Sequence, residues 1–138
     1  MELGTRIYTV DDDYGIKCYK YVKFNATGTA GLAYRFSDVY NREVTSAITT
    51  ATANKVAGVA IGTVTSGNYG VVQCLGYYAT VATDTGDDIV AGDNVILKNG
   101  TTGQVDRMAA GTAPTLRPLG VAVADDTAST VAVFIDVE

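Results

Sequence analysis

The sequence predicts a small all-β domain, a Greek-key-like barrel or sandwich with an extended N-terminal arm. Three observations lead there. A strand-loop-strand phrase occurs twice: Val56-Ala57-Gly58-Val59-Ala60-Ile61 precedes Val71-Val72-Gln73-Cys74-Leu75, and Leu119-Gly120-Val121-Ala122-Val123-Ala124 precedes Thr130-Val131-Ala132-Val133-Phe134-Ile135. Each copy is a Gly-containing apolar strand, a polar turn and a strand of largely β-branched and aromatic residues, the pattern of a hairpin. Composition agrees, because 15 Gly and abundant Thr, Val and Tyr suit turns and pleated, half-buried surfaces. Finally, no heptad repeat and no long amphipathic helical pattern competes with this reading.

The elements follow in order. Thr5–Val10 is a short strand stopped by Asp11-Asp12-Asp13. From Gly15 to Phe24 the residues alternate, with Ile16, Cys18, Lys20, Val22 and Phe24 on one side and Lys17, Tyr19, Tyr21 and Lys23 on the other. Lys20 interrupts the apolar side, which places its ammonium at the core's rim and its stem inside. Asn25–Gly31 is a turn-rich break, Leu32–Phe36 is extended, and Ser37–Arg42 connects to a strand over Glu43–Thr49. The Ala- and Thr-rich segment 49–55 reads as a loop. The first hairpin turns at Thr65-Ser66-Gly67-Asn68, and its return strand runs to about Thr83. After the acidic turn Asp84–Asp88 and Ile89–Val90, a strand at Val95–Leu97 pairs with Gln104–Met108 across Asn99-Gly100. Ala109–Pro118 is a loop. The second hairpin, turning at Asp125–Ser129, closes the chain.

At 138 residues the chain makes one domain, 1–138, with 1–55 a strand-bearing arm region and 56–138 the barrel portion. No stretch approaches the roughly 20 apolar residues of a membrane-spanning helix, and no secretory leader pattern is visible. The formal charge of −5 is uneven: residues 1–55 carry seven bases and six acids, whereas 56–138 carry three bases and nine acids, a local charge of −6. That balance disfavours broad phosphate-driven binding of nucleic acid. Six of the nine tyrosines (Tyr8, Tyr14, Tyr19, Tyr21, Tyr34, Tyr40) accompany most of the bases in the first 40 residues. Tyr and Arg are enriched in interfaces, so the face formed by Lys17, Tyr19, Tyr21 and Lys23 is the candidate partner-contacting strip. An ordinary solvated strand face or a self-association surface is its alternative.

Catalytic patterns are lacking. Without His there is neither a Ser-His nor a Cys-His nucleophile pair, and neither a phosphate-binding loop nor a nucleophile elbow is present. No catalytic residue, cofactor or metal is expected. Asp11-Asp12-Asp13, Asp84/Asp87/Asp88 and Asp125/Asp126 offer oxygen ligands, but none has EF-hand spacing, and solvated turn residues are the simpler reading. Cys18 and Cys74 do not make a disulfide framework; they fit separate buried thiols, with a single bridge as the alternative.

Three phrases resemble the decoration, or cement, proteins of tailed-phage capsids. They are Val56–Ala60 before its loop and strand, Ala91-Gly92-Asp93-Asn94-Val95-Ile96-Leu97 followed by Gly100 and Gly103-Gln104-Val105, and the closing Leu119–Ala124 with Val131–Ile135. Gly120–Phe134 is also similar to the strand-loop-strand of lambda-type head-stabilisation proteins. The resemblance spans residues 56–138. It implies a β-tulip barrel on the outer surface of an expanded capsid, tying neighbouring major capsid proteins together. Its partners would be the major capsid protein and its own copies, as a trimer or a dimer, with no nucleic acid or membrane partner. A head-fibre or tail component, or a glycan- or host-surface-binding β-module, is the alternative.

Overall fold

The computed structural model describes residues 1–49, 55–86, 88–109 and 117–137. Their regular elements are all strands: β1 (Arg6–Asp11), β2 (Gly15–Phe24), β3 (Ala33–Phe36), β4 (Glu43–Thr45), β5 (Val56–Ala60), β6 (Tyr69–Ala82), β7 (Asn94–Leu97), β8 (Val105–Arg107), β9 (Gly120–Ala122) and β10 (Thr130–Asp136). One hydrogen-bonded sheet runs β1-β2-β4-β3-β5-β6-β10-β9-β7-β8, with a further pairing between β2 and β6. That pairing closes β2, β4, β3, β5 and β6 into a ring. The other half curls back as well, because Thr83, just past β6, bridges to Val105 of β8, and its buried hydroxyl donates to the Val105 carbonyl at 3.0 Å. The fold is therefore barrel-like, two small rings sharing one long strand.

The two cores follow from this. Inside the first ring, Val22, Phe24, Tyr34, Phe36, Val44, Ala57, Ala60 and Val72 form one apolar cluster drawn from all five strands. Tyr34 is wholly buried with its ring edge-on to Phe24, the centroids 5.2 Å apart. Its hydroxyl donates to Thr27 O at 2.7 Å and accepts the Thr29 N–H at 3.1 Å, so the ring's polar tip is satisfied. The larger cluster lies along the seam and under the second ring, and includes Cys18, Ala33, Val59, Cys74, Leu97, Leu119 and Ile135. β5 is buried along its whole length. Val56 and Val59 face the larger cluster while Ala57 and Ala60 face the smaller, which accounts for an uninterrupted apolar run where a half-exposed strand would alternate.

Residues 15–45 are part of this architecture, supplying β2, β3 and β4 to the first ring. Only β1 and its turn into β2 stand at the margin. The strand expected over Glu43–Thr49 is shorter, ending at Thr45. Beyond it, Ser46 O and Ile48 O accept the Gly103 and Gly100 N–H groups, tying this segment to the turn region between β7 and β8 rather than to a neighbouring strand. Most of the loops expected at 49–55 and 109–118 lies outside the described residues. The buried thiols Cys18 and Cys74 meet through a hydrogen bond, Cys74 Sγ donating to Cys18 O at 3.4 Å.

The glycine shared by the two hairpin phrases has a steric cause. A Cβ on Gly58 would collide with the Gln73 carbonyl oxygen, and one on Gly120 with that of Phe134, in each case on the strand paired beside it. Gly58 also has φ +144°, a conformation that L side chains rarely adopt. Gly58→Ala and Gly120→Ala are each expected to destabilise the fold by about 2–3 kcal/mol through overpacking and strain. Gly62→Ala, where a Cβ meets only open space, is the neutral control; urea denaturation of the three variants is the check.

Candidate interaction surface

The strip predicted from the sequence lies on the side of β2 away from Val22 and Phe24, and all four residues are half-buried. The fold engages three of them. Lys17 Nζ pairs with the Asp11 carboxylate at 2.9 Å and stands 5.9 Å from the centre of the Tyr14 ring. Tyr21 stacks on Tyr69 with centroids 6.1 Å apart. Lys23 Nζ lies 3.7 Å from Glu43. Tyr19 sits between them, opposite Ile7 on one neighbouring strand and Gln73 on the other. The four residues thus belong to a wider aromatic face to which β6 contributes Tyr69 and Tyr77.

At one end of this face is a groove of about 410 Å³ lined by Tyr14, Lys17, Gln73, Tyr77, Tyr78 and Thr80. Tyr14 and Tyr77 stack at 4.2 Å with 13° between their planes. Gln73 is buried, its amide Nε2 donating to Leu75 O at 3.2 Å and Tyr77 O at 3.0 Å. The Tyr78 hydroxyl donates to Ala60 O at 3.1 Å, and burial raises its pKa above the ordinary phenolic value. Flat rings, an ammonium and the partnered Tyr78 hydroxyl suit packing against a partner.

The β1–β2 hairpin runs past the core. Cys18 is buried, but Ile16 on the same side of β2 is 55% exposed; its cross-strand partner Val10 is 79% exposed, and Tyr8 is 57% exposed. Among the described residues β1 pairs only with β2, leaving a sheet edge beside an apolar overhang. The Asp11 carboxylate shapes the turn by accepting the N–H groups of Asp13 and Tyr14 at 3.0 and 3.2 Å. Sequence alternation identified the β2 strip, but Tyr69 and Tyr77 are more than 40 residues away and only pairing brings them alongside. For the overhang, the apolar alternation through Tyr8, Val10 and Ile16 was visible; where the core stops was not.

The acidic segments make turn bonds. Asp84 pairs with Lys98 at 3.3 Å, Asp93 accepts the Val90 N–H at 3.1 Å, and Asp125 accepts the Ala91 N–H at 3.0 Å. Asp87 lies outside the described residues. Among the described residues, no group of three or more Cys, Asp or Glu could hold a metal ion.

No known protein family matches this sequence, and no curated protein does. Among solved structures, the chain is similar to the N base of head fiber gp8.5 of bacteriophage phi29. The identity is 18%, the TM-score 0.49, and the match covers 86% of this chain and 92% of that one. A likeness of this degree carries no argument about function or partner.

Titration of the hairpin has a definite sign. The Lys17 ion pair, followed by the Asp13 N–H bond, holds the Asp11 carboxyl below the ordinary carboxylate range, and Asp11 in turn raises Lys17. A depressed folded-state pKa contributes stability above the unfolded value and loses it as pH falls through the folded one. At Asp38, burial alone would push the carboxyl up, but N–H bonds from Glu43, Arg42 and Tyr40 together bring it down, so it acts with the same sign. Lowering pH from about 5 to about 2 is expected to reduce the urea midpoint. Asp11→Asn and Asp38→Asn should each start from a lower midpoint at neutral pH and show a flatter acid slope.

Proposed function

We propose that this chain is a phage capsid decoration protein, binding the outer surface of an expanded capsid and cross-linking neighbouring major capsid proteins. The observation that carries the reading is where the decoration-protein phrases fall. Val56–Ala60 is β5, the Ala91–Val105 phrase contains β7 and the start of β8, and the closing pair contains β9 and most of β10. The resemblance therefore lies mainly in the strands that build the barrel, together with the turns that lead into β7 and join it to β8. The remaining surface suits docking, with an apolar overhang, an open strand edge and an adjoining aromatic-cationic face.

In this reading the protein performs no catalysis. It acts mechanically from the outside of the virion, as a trimer or dimer of its own copies. Repetition on a lattice makes individually weak contacts strong in sum, because each bound copy raises the effective concentration of the next contact. β1 can extend a sheet of the shell or of a neighbouring copy through its backbone groups, while Val10, Ile16 and the tyrosines bury apolar surface.

Quantifying this chain against the major shell protein in purified virions tests the reading. Comparable copy numbers are expected; a handful per particle would mark a head-fibre or tail component, and absence would end the capsid assignment. Val10→Ser with Ile16→Ser should weaken binding to expanded capsids at least tenfold in a sedimentation assay. Because both side chains are exposed, the thermal midpoint should barely move. Tyr19→Ala with Tyr21→Ala tests the strip in the same assay, and undiminished binding would exclude it as a contact.

A further inference from the structure

At the margin of the first ring a cavity of about 220 Å³ is lined by Arg6, Lys20 and Arg117 together with Asn41, Phe36 and Val137. Arg6 and Lys20 thus meet at one small space in a protein whose formal charge is −5, with Arg117, which is already engaged in an interaction of its own, beside them. A neighbouring cavity shares Phe36, Asn41 and Arg117 and adds Lys55 and the carboxylate of Asp38. This concentration of positive charge is separate from the strip and the overhang.

Lys20 is the unusual member. It extends from the core-facing side of β2, between the buried residues Cys18 and Val22. Its Nζ lies 4.6 Å from the centre of the Phe36 ring. Among the described residues no carboxylate comes within ion-pair distance of it. Burial, followed by the charge of Arg6, lowers its pKa, against smaller opposing influences that include the Asp38 carboxylate. Phe36 offsets part of the desolvation, but a half-buried ammonium beside a second cation remains a standing electrostatic cost. An anion placed between them would relieve it.

The walls narrow the choice of anion. Phe36 and Val137, with Ala57 and Cys74 alongside, make part of the lining apolar, which suits a carboxylate carried on an aliphatic stem. A nucleic-acid backbone needs an open track past its phosphates, and this space is small and partly enclosed. We propose that the cavity receives an acidic side chain of a partner polypeptide, the carboxylate between Lys20 and Arg6 and the stem against Phe36 and Val137. This proposal does not depend on the capsid reading, since it concerns the isolated chain and any polypeptide offering a Glu or Asp.

The test is a titration of the ¹⁵N-labelled full chain with triglutamate peptide at low salt, inorganic phosphate serving as a second probe. Saturable shifts confined to Arg6, Lys20, Asn41 and their neighbours are expected, with phosphate binding at least tenfold more weakly. Lys20→Met and Arg6→Gln should each weaken triglutamate binding at least tenfold. Lys20→Met should also raise the thermal midpoint of the unliganded protein, because it removes the half-buried charge while keeping the stem; a merely structural lysine would lower it. No saturable shift, equal binding of phosphate, or undiminished binding by both variants would overturn the proposal.

Discussion

Everything in this fold depends on β6 serving two rings at once. Its first half pairs with β2 and β5, and its second half pairs with β10. The change of partner occurs at a bulge opposite Cys18 and Tyr19, where an extra residue re-aims the strand. Gln73 satisfies the carbonyls of Leu75 and Tyr77 there, groups that would otherwise be costly to bury. At Gly76, a Cβ would press on the Ile16 carbonyl oxygen at 2.6 Å. A strand of 14 residues is long for a domain of this size, and sharing it lets both rings close with few staves.

Close backbone approach is the second consequence. Small rings force neighbouring strands together, and Gly58 and Gly120 occupy places where a partner carbonyl takes the space of a side chain. The apolar run of β5 has the same origin, because a strand between two cores presents no solvent face.

Surface and core divide accordingly. Where β2 lies over the first ring, its inner side is buried. Where the hairpin continues past the core, the same side becomes the exposed pair Val10 and Ile16. At the ring's margin that side carries Lys20, held half in and half out by the Phe36 ring. One alternating strand thus contributes to the core, the cationic cavity and the apolar overhang, depending only on how far along it one stands.

The sequence by itself determined the all-β class, β2 from Gly15 to Phe24, both hairpins, the Asn99-Gly100 turn and the rim position of Lys20. Each is encoded locally, by alternation of period two, by turn residues, or by one polar side chain on an apolar face. Tertiary structure alone decided that residues 15–45 are ring staves, that β5 lies between two cores, and that Tyr69 and Tyr77 join the β2 strip. It also gathered Arg6, Lys20 and Arg117 around one cavity. Those features depend on strands meeting across tens of residues, and a pairing register leaves no mark in either partner's local pattern until the backbone brings the two side by side.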